Sequence, residues 1–205
     1  DYPVIVNPVN LGSSIGIKKL HNDSETKEAL KTIFHLDSEA IVEPFLENIV
    51  EVNCSVLGNP KNNRVSICEQ PLSAKDVLSF EDKYLAGGKG DKDKLRGMAS
   101  QSRRIPAPIS PEQTKQIQSL AQDVFQFCGC SGVARIDFMI DRKVGNIYVN
   151  EINTIPGSLS FYLWEATGLS FCELIDELIN IADRNFADKN SLQRTFESAL
   201  LKRFL

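Results

Sequence analysis

Residues 132–157 read GVARIDFMIDRKVGNIYVNEINTIPG, and they carry the most informative pattern in the chain. Two runs rich in β-branched and apolar residues, 132–140 and 147–153, flank the polar segment 141–146, which contains glycine and asparagine. This pattern is typical of two strands joined by a turn. The stretch therefore predicts a β-hairpin whose second strand ends before a Pro-Gly pair.

Acidic and amide side chains lie at alternate positions of this predicted hairpin. If the strands pair about residue 143 or 144, odd residues lie opposite odd residues, and Asp137 approaches Glu151 and Asn153. Neighbours across two strands are only about 4.5–5.5 Å apart at Cβ, so two bare carboxylates there would repel each other. A hard cation such as Mg²⁺ between these oxygen ligands would relieve the repulsion. The pattern predicts a magnesium site.

Arg135 precedes Asp137 by two residues and therefore shares its face of the strand. A guanidinium at this place can pair with a phosphate or an oxyanion. The alternative interpretation of the whole hairpin is a solvated strand face that holds an ordinary salt bridge.

Composition narrows the class of protein. The chain has 205 residues, 42% hydrophobic and 24% charged, which excludes a disordered or low-complexity scaffold. Its net charge of −4 gives no basic excess for general nucleic-acid binding. No apolar run approaches the roughly 20 residues that cross a bilayer. Neither a nucleic-acid nor a membrane partner is expected.

Cysteine usage indicates a reducing compartment. The five cysteines are scattered, and Cys128-Gly-Cys130 is too tightly spaced for a redox or zinc pair. We expect buried or half-buried thiols in the cytosol, with neither zinc nor a disulfide.

Strands and helices alternate irregularly along the chain, with hairpins among them, which favours an α+β fold. Ser110 and Ser170 each begin a capping box and therefore a helix. Near the beginning, a strand from Tyr2 to Asn7 and a second strand at 15–17 are predicted on either side of a glycine-serine loop.

That loop contains Gly12, Ser13 and Ser14. Small residues let backbone amides approach phosphate oxygens, and the hydroxyls add donors. The alternative is an ordinary hairpin turn, since the loop lacks the lysine of a Walker A motif.

Two further segments suggest a nucleotide-binding site. Glu43 offers a carboxylate to a flat base, and Phe45 and Leu46 offer apolar surface to its ring. Glu51 can hold a ribose. The alternative for each glutamate, taken alone, is a carboxylate that is only solvated. Residues 80–104 are rich in glycine and charge, which predicts a mobile lid that protease would cut first.

Taken in order, these segments resemble the ATP-grasp superfamily and, within it, the D-alanine–D-alanine ligases. The strings that carry the resemblance are PVIVNPVNLGSSIGI (3–17), VEPFLENIVEVNCSVLGN (42–59), DKY (82–84), GVARIDFMI (132–140) and NEINTIPG (150–157). The resemblance implies an ATP-grasp fold of mainly antiparallel sheets with packed helices. Residues 1–46 would be the remainder of the central lobe and 47–205 the C-terminal catalytic lobe. The N-terminal substrate domain is expected to be absent.

The resemblance also implies a role for each matching residue. The metal ligands would be Asp137, Glu151 and Asn153, and the second substrate would be bound by Ser160, with Ser158 as the alternative. ATP would be bound by Gly12, Ser13, Ser14, Glu43, Phe45, Leu46, Glu51 and Lys83. The catalytic residues would be Arg135, Ser14, Lys83, Tyr84 and Gly157.

The activity implied is ATP-dependent ligation of two D-alanines through an acyl phosphate, for peptidoglycan and cell shape. ATP and Mg²⁺ or Mn²⁺ would be required. The full-length protein would be a cytoplasmic homodimer, and this portion alone is expected to be inactive. The alternatives are a non-catalytic ATP-binding module and an ATP-grasp ligase for another carboxylate and amine. Tyr84 favours D-alanine, because members of the family that make D-lactate esters have a histidine-containing lid.

One residue departs from the family pattern. Asn7 stands where the family has the lysine of Ile-Val-Lys-Pro, which reaches the ATP phosphates. An amide is neutral and shorter than a lysine side chain, so it cannot replace the ammonium. Lys18 and Lys83 are the sequence candidates for a substitute cation.

Overall fold

The computed structural model describes residues 1–12, 14–72 and 102–192. The predicted Ser13, Lys83 and Tyr84, and residues 80–101 of the predicted lid, lie outside these ranges. The described residues form two compact units. Unit 1 draws on Asp1–Asn53, Glu69–Pro108 and Asp137–Glu151, and unit 2 on Cys54–Cys68, Ile109–Ile136 and Ile152–Leu205. The boundary at 46/47 stays a prediction.

The described elements are strands and helices in mixed order, which confirms the α+β prediction. In chain order they are β1 (Val4–Pro8), β2 (Lys18–Leu20), α1 (Asp23–Ile33), β3 (Ala40–Pro44), β4 (Ile49–Asn59), β5 (Asn62–Val65), β6 (Gln70–Pro71), β7 (Arg103–Arg104), α2 (Pro111–Phe127), β8 (Gly132–Asp141), β9 (Ile147–Asn153), a 3₁₀ turn (Gly157–Ser160), α3 (Phe161–Thr167) and α4 (Phe171–Ser191). The sheets have the strand orders β2-β1-β3, β5-β4-β8-β9 and β6-β7. None of the helices in this part of the chain combines the length and apolar character of a bilayer crossing.

Unit 1 contains an antiparallel three-stranded sheet packed on one helix. β1 pairs with β2 and with β3, and Ile5 lies opposite both Lys19 and Glu43. Asn22 caps α1 by accepting a hydrogen bond from the Glu25 backbone. The core of this unit is the buried set Val6, Leu20, Ala29 and Ile33. Because Val6 faces this core, the odd-numbered residues of β1 lie on the other face of the sheet.

Unit 2 packs around Trp164. Its buried core consists of Leu57, Val133, Trp164, Leu174 and Ile181. The Trp164 indole donates to Ser55 Oγ at 3.1 Å, and the Ser55 hydroxyl donates to the Ala134 carbonyl at 3.0 Å. These bonds tie α3 to β4 and β8.

The two predicted capping boxes are confirmed. Ser110 begins α2 and Ser170 begins α4, and each makes the reciprocal side-chain and backbone bonds with the residue three positions later. These local signals needed only four consecutive residues, which is why they could be recognised from the sequence.

Three local predictions were wrong. Residues 15–17 form no strand; the chain turns there, with Gly16 at φ +83°, and β2 begins only at Lys18. Arg103 and Arg104, predicted within the mobile lid, form β7 against β6. Cys128 and Cys172 are exposed instead of buried. A turn that contains isoleucine, and a strand of two arginines, do not follow the usual apolar patterns.

Candidate functional site

One face of the sheet in unit 1 gathers the residues predicted to hold a nucleotide. Asn7 lies opposite Ile41 in the register, and Glu43 lies opposite Ile5, so Asn7 and Glu43 share the face that points away from the buried core. Phe45 follows β3 and is fixed by a hydrogen bond from its amide to the Pro3 carbonyl, 3.1 Å long.

Lys19 belongs to this face and was missed in the sequence. It lies opposite Ile5, whereas Lys18 lies opposite Val6 and so shares the face of the apolar core. The Lys19 ammonium is 4.0 Å from the centroid of the Phe45 ring and 3.1 Å from Glu47 Oε1. The hydrogen bond from Lys19 lowers the pKa of the Glu47 carboxyl.

The signal for Lys19 was present, because adjacent residues of a strand point to opposite faces. Of the Lys18-Lys19 pair, only one side chain can therefore lie beside Phe45. The sequence candidate for the substitute cation, Lys18, is on the wrong face of the sheet. The error follows from the misplaced strand at 15–17, which left the register of β2 undefined.

Gly12 and Ile15, on either side of the predicted phosphate loop, are joined by a hydrogen bond typical of a tight turn. The Ile15 amide donates to the Gly12 carbonyl at 3.2 Å, and Ser14 has a left-handed φ of +62°. Gly16 is required sterically as well as conformationally, since an added Cβ would lie 2.8 Å from Pro8 Cγ. A left-handed turn of small residues turns backbone amides outward, as phosphate-binding loops do.

Asp37 anchors the chain that leads into this turn, and it too was missed. Its carboxylate accepts a 2.5 Å bond from the Asn10 amide and a 2.8 Å bond from Asn10 Nδ2. These hydrogen bonds, the backbone one foremost, lower the pKa of Asp37. Nothing in the local sequence connects residues this far apart along the chain.

The hairpin residues lie on the predicted strands, but the predicted register is wrong at the turn. The Asp141 amide donates to the Asn146 carbonyl at 2.9 Å, so an odd residue lies opposite an even one. Gly145, at φ +78°, closes a loop over 142–145 and centres the pairing between residues 143 and 144. The grouping of Asp137 with Glu151 therefore stays a prediction from the resemblance.

Burial differs among the predicted residues of the hairpin. Arg135 is buried, with 6% of its surface exposed. Asp137 and Asn153 are half-buried, and Glu151 is exposed. A buried guanidinium has lost its hydrating water and therefore needs an anionic or polar partner.

The predicted ligand set suits magnesium in its chemistry. Two carboxylates and one amide offer only hard oxygen atoms, which Mg²⁺ prefers, and leave room for phosphate oxygens and water. In residues 1–12, 14–72 and 102–192, no three or more His, Cys, Asp or Glu side chains are grouped as a metal site. The binding of a cation by Asp137, Glu151 and Asn153 stays a prediction.

A strained segment follows β9. Ser158, Leu159 and Ser160 have φ angles of +53°, +54° and +51°, a left-handed run made of residues that all carry a Cβ. Such conformations cost free energy and occur mainly at functional sites. Within the described residues, the Ser160 hydroxyl is buried without a hydrogen-bond partner, whereas Ser158 is exposed. The geometry thus favours Ser160 over Ser158 as a binding residue.

A buried ion pair in unit 1 also escaped the sequence analysis. Glu69 accepts a 2.8 Å bond from Arg103 and a 3.1 Å bond from Asn53 Nδ2, and its side chain is 1% exposed. The bond between Leu72 N and the Ser102 carbonyl, 2.9 Å long, continues this pairing. The two ends of the sequence between residues 72 and 102 are therefore held together.

The remaining predicted residues lie in described parts of the chain. Glu51 is half-buried in β4, Leu46 is half-buried between β3 and β4, and Gly157 begins the 3₁₀ turn. Their binding roles stay predictions.

Comparisons with known proteins identify the family of this chain. The D-ala D-ala ligase C-terminus family matches residues 1–180. The D-alanine–D-alanine ligase of Thermosipho africanus is 42% identical over 191 residues, covering 93% of this chain and 49% of that protein. The enzyme of Thermoanaerobacter sp. strain X514 is 38% identical over 192 residues, covering 92% and 50%. The chain thus spans about half the length of the curated relatives it matches.

Solved structures give the same result. The D-alanine–D-alanine ligase from Coxiella burnetii aligns with a TM-score of 0.71 at 30% identity, covering 91% of this chain and 47% of that one. The VanG D-Ala:D-Ser ligase from Enterococcus faecalis aligns with a TM-score of 0.69 at 32% identity, covering 88% and 49%.

Proposed function

Since this chain belongs to the D-ala D-ala ligase C-terminus family, we propose that it is the ATP- and metal-binding part of an ADP-forming ligase that joins two D-alanines. The likeness to solved ligases confirms the ATP-grasp fold expected from the sequence. The proposal includes action in the cytoplasm, where ATP is available, and a homodimer for the full-length protein.

The reaction needs two transfers. The γ-phosphoryl group of ATP passes to the carboxylate of one D-alanine, which gives an acyl phosphate and ADP. The amine of a second D-alanine then attacks the acyl carbon, loses a proton, and expels phosphate. Both steps move negative charge, so positioned cations and amide donors can lower their barriers.

The residues of unit 1 would bind the nucleotide. Glu43 and Phe45 would hold the base, Lys19 would fix Phe45 by its contact with the face of the ring, and the turn at Gly12–Ser14 would cover the phosphates. The register that brings Glu43 and Lys19 onto one face supports this assignment.

The residues after β8 would carry the chemistry. Arg135 would stabilise the transferring phosphate, and Asp137, Glu151 and Asn153 would hold Mg²⁺ or Mn²⁺, which supplies charge neutralisation when bound. Gly157 and the Ser160 hydroxyl would receive the carboxylate of the second D-alanine.

The observation that carries the proposal is the Ser160 hydroxyl. Within the described chain it is buried without a partner, on a strained left-handed run. An unpaired buried hydroxyl is costly, and a substrate carboxylate would satisfy it.

The test is D-alanine-dependent phosphate release by the full-length protein with ATP and Mg²⁺, next to calorimetric titration with ATP. Release that needs D-alanine supports the ligase. ATP binding without any release would favour the alternative, a non-catalytic ATP-binding module, to which Asn7 points. Release only with another amine or hydroxy acid would favour a ligase of different specificity.

Removing a proposed metal ligand should weaken nucleotide binding in the presence of magnesium. We expect Asp137→Ala or Glu151→Ala to raise the Kd for ATP with Mg²⁺ by at least about tenfold, because each removes an anionic oxygen ligand. Titration with and without Mg²⁺ measures the effect. Asp123→Ala, which removes an exposed carboxylate from α2, is the control. Unchanged affinity in both variants would show that the metal site is elsewhere.

Substitution of Lys19 should have a smaller effect on ATP binding, and one that is specific to its face of the sheet. We expect Lys19→Ala to raise the Kd for ATP by about two- to fivefold, since a contact between a cation and an aromatic ring near the protein surface contributes about 0.5–1 kcal/mol. The neighbouring Lys18→Ala removes the same charge from the opposite face and should leave the Kd nearly unchanged. Equal effects of the two substitutions would mean that net charge, not the contact with Phe45, matters.

A further inference from the structure

Cys54 and Cys68 lie opposite each other in a geometry that suits a disulfide. Asn53 and Glu69 exchange two backbone hydrogen bonds, 2.9 and 3.0 Å long, and so form a hydrogen-bonded antiparallel pair. Cys54 and Cys68 directly adjoin this pair, on the face opposite to Asn53 and Glu69. Because Val56 lies opposite Val65, the three residues 66–68 face the two residues 54 and 55, as in a β-bulge. Cα atoms of residues that face each other across antiparallel strands are about 4.5–5.5 Å apart, which is within the range of about 4.4–6.8 Å that disulfides occupy.

The two thiols also contact each other. Both residues are buried, with 0% and 1% of their surfaces exposed. A hydrogen bond between their side chains raises the pKa of Cys54 and lowers the pKa of Cys68. Cys54 Sγ lies 3.6 Å from the Ser66 carbonyl as well. The sulfur atoms therefore face each other, and of the two Cys68 has the greater thiolate character.

Access to this pair requires only a local opening. Residues 66–68 lie beyond the end of β5, and of these Ser66 still donates its amide hydrogen to the Ser55 carbonyl of β4 at 2.8 Å. Side chains fix this segment: the Ile67 amide donates to Thr167 Oγ1 and Gln118 donates to the Ser66 carbonyl, each at 2.9 Å. Short segments held by a few bonds open more readily than whole strands.

We propose that Cys54 and Cys68 are a reversible oxidation site that forms an intrachain disulfide with a small-molecule disulfide as oxidant. The Cys68 thiolate attacks one sulfur of the oxidant and expels one thiolate. Cys54 then loses its proton, and the resulting thiolate attacks Cys68 Sγ in the mixed disulfide and expels the second thiolate, which takes up a proton. The cysteine pair loses two electrons, and the oxidant is reduced to two thiols.

The disulfide would link β4 to the residue directly before Glu69. Glu69 bonds to Asn53 and Arg103, so the oxidised pair would lock the strand connection next to that buried ion pair. The sequence analysis expected no disulfide, and this proposal departs from that expectation for the oxidised chain; in the structure Cys54 and Cys68 are free thiols.

The experiment uses the full chain with Cys128, Cys130 and Cys172 replaced by serine, which leaves only the proposed pair. The folded protein is incubated with oxidised glutathione, then unfolded and treated with an alkylating reagent. We expect alkylation of both remaining thiols to be lost, a mass lower by two hydrogen atoms, and recovery of both thiols after dithiothreitol. Peptide mapping should show residues 54 and 68 joined.

A second variant distinguishes a true pair from two separately reactive thiols. With Cys54→Ser added to the same background, Cys68 should stop at the glutathione adduct, and no loss of hydrogen should occur. The proposal is overturned if both thiols of the parent variant remain alkylatable, or if only glutathione adducts accumulate. It is also overturned if the disulfide forms no faster in the folded chain than in urea, since the geometry would then contribute nothing.

Discussion

Asn7→Lys in the full-length protein should raise the rate of D-alanine-dependent phosphate release by at least about tenfold. An ammonium against the β- and γ-phosphates stabilises charge that shifts in the transition state, and loss of one such donor typically costs about 10²–10³ in rate. The expected gain is smaller than that loss, because the longer side chain must fit where an amide now packs. ATP affinity should change less than the rate.

The structure supports this expectation through the position of Asn7. It lies on the same face as Glu43 and Lys19, one residue before the end of β1. A lysine at this position would extend along the face that we assign to the nucleotide. Lys19, the cation already there, contacts Phe45 and Glu47.

The control for Asn7→Lys is Thr32→Lys, which adds the same charge at an exposed position of α1, on the other side of the sheet. It should leave the rate of phosphate release unchanged. If the protein with Asn7 is as fast as its lysine variant, another cation already supports the phosphates. Lys19 would then be the first described residue to test.

Arg135→Lys should lower kcat by about 10²–10³ while leaving ATP affinity little changed. Lysine keeps the positive charge but loses the planar, two-pronged set of donors that suits a transferring phosphate. Because Arg135 is buried, water cannot supply the hydrogen-bond donors that a lysine at this position would lack. Steady-state phosphate release and ATP titration together separate the effect on chemistry from the effect on binding.

Arg142→Lys makes the same substitution at an exposed position in the turn of the same hairpin. It should leave kcat unchanged. A circular-dichroism melting curve for each variant will show whether Arg135→Lys is folded at the assay temperature. If folded Arg135→Lys matches the unchanged protein in kcat, the guanidinium has no part in the reaction.

Sequence patterns predicted well wherever the decisive interactions are local. The capping boxes at Ser110 and Ser170 join residues three positions apart, and alternation with a turn identified β8 and β9. The motifs of the hairpin and of the glycine-serine loop identified the family, because the chemistry of phosphate and metal binding restricts those positions to a few residue types.

Other features depended on residues far apart in the chain. Lys19 could be assigned to a face only after β2 was seen to begin at Lys18, and Asp37 meets Asn10 from the far end of α1. At the hairpin turn, where Gly145 has a left-handed φ, Asp141 lies opposite Asn146, so an odd-numbered residue faces an even-numbered one. An alternation pattern does not reveal this pairing.

The sequence by itself determined the α+β class, the family and the residue types available for phosphate, metal and substrate. Only the tertiary structure decided which of two adjacent lysines lies beside Phe45, that Glu69 is buried against Arg103, and that Cys54 lies opposite Cys68. The physical reason is that capping and alternation act between near neighbours in the chain. Strand register and burial instead depend on how distant segments pair and pack, and one residue of shift exchanges the two faces of a strand.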